Sequence, residues 1–98
     1  MNPTQEEIHK NAVDHLFWQH PINIPEKLCL IHSEVSEAME AYRNRYVGEG
    51  YDGVAEELAD IVIRVFDLAE HLCINMEKEI VHKHETNKLR PIRHGKRF

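Results

Sequence analysis

Helix breakers do most to limit what this chain can fold into. Its four prolines (Pro3, Pro21, Pro25 and Pro91) and the glycine-rich stretch 48–53 divide 98 residues into segments that each carry helical periodicity. Proline removes a backbone donor and clashes with the preceding turn, so it stands at helix starts or between helices. Thr4 is a natural N-cap, with Glu7 three residues on completing a capping box, and a first helix is expected to run to about Gln19. His20-Pro21-Ile22-Asn23-Ile24-Pro25 interrupts it, and a second helix is expected from near Pro25 to about Tyr46. The spacing predicts a third helix over Val54–Cys73 and a fourth over Asn75–Lys88, with Pro91 as its limit. No segment alternates with the period of a strand, so the expected fold class is all-α with four helices. Residues 1–90 form one domain in this reading, and 91–98 form an irregular basic tail.

The Gly48-Glu49-Gly50-Tyr51-Asp52-Gly53 stretch matches the dinucleotide-binding pattern GxGxxG in form. That pattern acts after a strand in a βαβ unit; here it follows a helix and reads as an interhelical loop. No apolar run reaches the roughly 20 residues of a membrane span, and the polar N-terminus does not read as a signal peptide, so a cytoplasmic protein is expected. Cys29 and Cys73 stand alone on apolar stretches and read as buried thiols of a reduced compartment. The net charge of −5 conceals a division. Residues 1–80 hold 16 Asp and Glu against six Lys and Arg, whereas 81–98 hold six Lys and Arg against Glu85 alone. An acidic body with a basic end suits a metal centre flanked by phosphate-binding groups, and it suits an acidic domain with a solvated tail equally well.

Residues three or four apart share a helix face. Glu34 and Glu37 therefore point together on the second helix, beside an apolar stripe of Leu28, Ile31, Val35, Met39 and Tyr42. Glu57 and Asp60 do the same on the third, beside Val54, Leu58, Ile61, Val62, Val65, Ala69 and Leu72. Antiparallel packing of these helices would gather four carboxylates at one point. Such a cluster repels itself unless cations neutralise it, and an all-oxygen donor set suits a hard ion such as Mg²⁺. Solvated helix-face charge is the alternative reading of the same acids.

The ExxE pair in Ser33-Glu34-Val35-Ser36-Glu37-Ala38-Met39-Glu40, followed by the ExxD pair in Glu56-Glu57-Leu58-Ala59-Asp60-Ile61-Val62, resembles the MazG family of all-α nucleoside triphosphate pyrophosphohydrolases. Trp18-Gln19-His20-Pro21 with Asn23, Lys83 to Pro91, and Arg93-His94-Gly95-Lys96-Arg97-Phe98 extend the similarity over essentially the whole chain. The resemblance implies a four-helix MazG-like bundle completed by homodimerisation or as a homotetramer. It implies Mg²⁺, with Mn²⁺ as a substitute, held by Glu34, Glu37, Glu57 and Asp60, which would also be the catalytic acids. Lys83, Asn87, Arg90 and Lys96 would contact the triphosphate, and Trp18 and His20 the base. The implied reaction cleaves a nucleoside triphosphate between its α and β phosphates, as house-cleaning of the nucleotide pool. Several family members carry a further acid where this chain has Ser33, which leaves the general base open between one of the four acids and metal coordination alone.

Two other classes fit parts of the pattern. Glu6-Glu7-Ile8-His9 and Glu79-Ile80-Val81-His82 both match ExxH in form, as in di-metal carboxylate bundles, but they lie near helix ends. A non-enzymatic helical dimerisation module with a nucleic-acid-contacting tail would use the basic end, against the repulsion of the acidic body. Tyr42 and Tyr46 read as packing residues, and His82, His84 and His94 as exposed side chains rather than zinc ligands.

Overall fold

The computed structural model describes residues 3–44 and 51–95. Among the described residues there are four α-helices and no strand: α1 Gln5–Asp14, α2 Ile24–Asn44, α3 Asp52–His71 and α4 Met76–Lys88. A short 3-10 helix, Ile92–Gly95, follows in the segment expected to be irregular. The Thr4 side chain caps α1 by accepting from the Glu7 amide, as its position in the sequence predicts. Asn75, expected to be the first residue of α4, is instead its N-cap and accepts from the Lys78 amide.

α1 stops five residues before the expected end at Gln19. Leu16 adopts the left-handed region at φ 68°, and the chain closes by Leu16 N–H to Val13 C=O and Phe17 N–H to Ala12 C=O. These are the two bonds of a Schellman closure, made here without glycine. α3 ends the same way: Cys73 sits at φ 60°, with Cys73 N–H to Glu70 C=O and Ile74 N–H to Ala69 C=O. Both cysteines are exposed in the single chain, contrary to the expectation of burial.

α3 is the central element, with α2 and α1 packed along it. α4 rests on no other helix over any length. Gln5 ties the far end of α3 to the start of α4. Its Nε2 donates to Glu70 Oε1 at 3.0 Å and to the Ile74 carbonyl, while its Oε1 accepts from the Met76 amide. Phe66, Leu68 and Ala69 are the buried apolar residues, all from α3. The apolar stripe read on α2 does not make the seam within the chain: Leu28, Val35, Met39 and Tyr42 are exposed, as are Leu58, Val62 and Leu72 of α3. The buried side of α2 carries Glu34, its one buried residue, with Leu30, Ile31, Ala38 and Ala41 half-buried, so of the predicted stripe only Ile31 is partly covered.

Candidate metal centre and its flanking aromatic cluster

The packing of α2 on α3 brings Glu34, Glu37 and Glu57 together, one carboxylate oxygen of each lying within 4.8 Å of the others. Their burial is graded: Glu34 is buried at 8% exposure, Glu57 is half-buried and Glu37 is exposed. Glu34 Oε2 and Glu57 Oε2 are both shielded from solvent and have no hydrogen-bond partner. A buried unpaired carboxylate oxygen costs several times an ordinary lost hydrogen bond, so two of them within one acid trio mark an arrangement that a cation would complete. Asp60, expected as the fourth acid, is exposed one turn along α3 and is not part of this close group.

Arg64 supplies the positive charge found at the trio. Its Nε donates to Glu34 Oε1 at 2.7 Å, across the α2–α3 seam. That bond is the largest influence on Glu34 and holds its carboxyl below the ordinary range. Glu37 is driven the other way, first by the Glu34 carboxyl held against it and then by that group's charge. Arg64 lies seven residues after Glu57, hence on the same face of α3, and that spacing is the signal by which a sequence reading could have found it.

Further along that face, Asp67 organises a second cluster. Trp18 Nε1 donates to both Asp67 oxygens, at 2.8 and 3.0 Å, and His9 Nδ1 donates to Oδ1 at 2.6 Å. The Trp18 ring stacks on His71 with centroids 4.3 Å apart and meets His9 edge-on at 5.3 Å. Lys27 Nζ lies 4.4 Å from the Trp18 centroid and donates to the Phe17 carbonyl. Trp18 is thus half-buried and held by Asp67, a residue that sequence reasoning passed over. His20, the other expected base contact, is exposed.

The expected phosphate ligands of the C-terminal region stand apart from the trio. Lys83 and Arg90 are exposed, Arg90 lying two residues beyond α4, and neither hydrogen-bonds or ion-pairs with the three acids. Asn87 is half-buried, with its Oδ1 shielded and without a partner. Lys96 lies outside the described residues. No helix of the described chain is long and apolar enough to cross a membrane.

Fold and site together define an all-helical chain with a carboxylate centre at the seam of its two long helices. No protein-family model, curated protein or solved structure matches the chain.

Proposed function

We propose that the chain is a nucleoside triphosphate pyrophosphohydrolase that holds Mg²⁺ at Glu34, Glu37 and Glu57, with Asp60 joining from the next turn. The observation that carries the reading is the pair of shielded, unpartnered oxygens on Glu34 and Glu57 within a three-carboxylate group. The donors are hard oxygens on two rigid helices, which suits Mg²⁺ or Mn²⁺ and disfavours softer ions. Bound Mg²⁺ supplies Lewis acidity and neutralises charge on the acids and on the substrate's phosphates.

In the reaction a water oxygen bonds to the α-phosphorus, and the bond from that phosphorus to the bridging oxygen breaks. Nucleoside monophosphate and pyrophosphate leave. The water's proton passes to a carboxylate of one of the four acids, Glu37 being the trio's exposed member. Glu34, ionised under the hold of Arg64, keeps its charge throughout. Trp18, held by Asp67, forms a wall of the base site, with His20 beside it; Lys83, Asn87, Arg90 and Lys96 reach the phosphates. Lys83 and Asn87 stand on a helix that rests little on its own chain, so a second copy is the natural source of some of these contacts. The exposed apolar residues Val35, Met39, Leu58 and Val62 supply the surface for that pairing as a homodimer or homotetramer. The cytoplasm, where nucleotide pools are held, is the place of action that goes with this substrate.

Pyrophosphate release measured over canonical and modified nucleoside triphosphates, with and without Mg²⁺, tests the reading. Release by the wild type only with the metal, and its loss in Glu34→Gln and Glu57→Gln at unchanged helical content, is the expected result. Absence of release from every triphosphate, or undiminished release in both variants, would reject it.

A further inference from the structure

Arg64 does more than balance the charge of Glu34. The ion pair uses Nε, and among the described residues no hydrogen bond occupies either terminal nitrogen of the guanidinium. The side chain remains 29% exposed, so those terminal groups have a path to solvent. Position along α3 adds a second constraint. At about 1.5 Å per residue, Arg64 stands about 10 Å beyond Glu57 and about 5 Å before Asp67. It therefore lies between the acid trio and the cluster that Asp67 builds around Trp18. Its Cζ is 5.9 Å from the Phe17 ring, on the side of that cluster. Lys27, the other cation facing the cluster, has its ammonium engaged by the Phe17 carbonyl and the Trp18 ring.

We infer that Arg64 is a substrate ligand: Glu34 pins its Nε, and its free terminal nitrogens bind the phosphate joined to the nucleoside. The inference rests on the nucleotide reading above and gives the phosphate between metal centre and base site a specific partner. A guanidinium suits both tasks at once because its fixed fork offers donors in two directions, whereas a lysine ammonium is a point charge. Glu34 then serves two ends of the site, with Oε1 on the arginine and Oε2 shielded without a partner in the acid trio.

Arg64→Lys separates this role from simple charge balance, since it keeps the charge next to Glu34 and loses the second arm of the fork. Calorimetric titration would compare wild type and variant for Mn²⁺ alone, for the four canonical deoxynucleoside monophosphates with Mn²⁺, and for the parent deoxynucleosides. The wild type is expected to bind at least one monophosphate more tightly than its nucleoside. In Arg64→Lys that advantage should fall by about tenfold or more, with Mn²⁺ and nucleoside affinities within about twofold of wild type. An unchanged monophosphate advantage would overturn the inference while leaving the metal centre standing. A wild type that binds Mn²⁺ but no nucleotide would overturn the inference together with the proposed function.

Discussion

At the scale of single residues, the trio sets a conflict between stability and cation binding. Glu37 holds its proton more tightly in the folded chain than in the unfolded one, because Glu34 lies against it. A carboxyl shifted upward adds stability that is complete below its ordinary value of 4.5 and is lost as pH rises through its raised value. Glu34 is shifted downward, so its contribution is present above that ordinary value and disappears only at more acidic pH. In metal-free buffer the melting temperature should therefore decline from mildly acid toward neutral pH, and Mn²⁺ should restore it. Glu37→Gln should raise the metal-free melting temperature at neutral pH and abolish the Mn²⁺ response. A flat pH profile in the wild type would contradict this. Cys73 presents a plainer case of strain, since a side chain in the left-handed region costs roughly 1 kcal/mol and glycine avoids that cost. Cys73→Gly is expected to stabilise the fold by up to roughly 0.5 kcal/mol in urea titration, once the added freedom of the unfolded chain is deducted.

At the scale of helices, α3 carries a polar line that its apolar pattern disguises. Glu57, Arg64, Asp67 and His71 recur at steps of three, four and seven on the side facing α1 and α2, and each named partner lies across a seam. Asp67 accepts from His9 of α1 and from Trp18 in the turn after it while only 13% exposed, so Asp67→Ala strands Trp18 Nε1 and His9 Nδ1. A loss of roughly 2–3 kcal/mol is expected. Trp18 is the chain's single tryptophan, so a red shift of its emission would report the release directly.

The existence of all four helices was legible because prolines and capping residues are local signals. The ends of α1 and α3 were not, since Leu16 and Cys73 take a conformation that sequence reading assigns to glycine. Glu34, Glu37 and Glu57 were legible from spacing. Arg64 and Asp67 were missed because a charged residue on a helix reads as solvated until its cross-helix partner is known. The α2 stripe misled for a related reason: periodicity finds an apolar face without saying whether that face meets the same chain.

At the scale of the molecule, the single chain is loosely gathered. Its radius of gyration is 16.1 Å, against about 13 Å for an ordinary compact domain of this length. Val35, Met39, Leu58 and Val62 are each about half exposed, and the buried apolar set comes from α3 alone. A chain this short with so little covered is expected to pair. Light scattering should return a multiple of 11.5 kDa, and Met39→Glu combined with Val62→Glu should return the mass of a single chain. A wild type at the mass of one chain at micromolar concentration would contradict this.

The isolation of α4 carries a kinetic consequence. With Gln5 and the turn before it as its main attachments, the helix bearing Lys83 and Asn87 has little to hold it still on its own. Turnover per subunit should therefore depend on protein concentration, rising toward a plateau as copies meet. In very dilute assays it should fade while circular dichroism still reports a folded backbone.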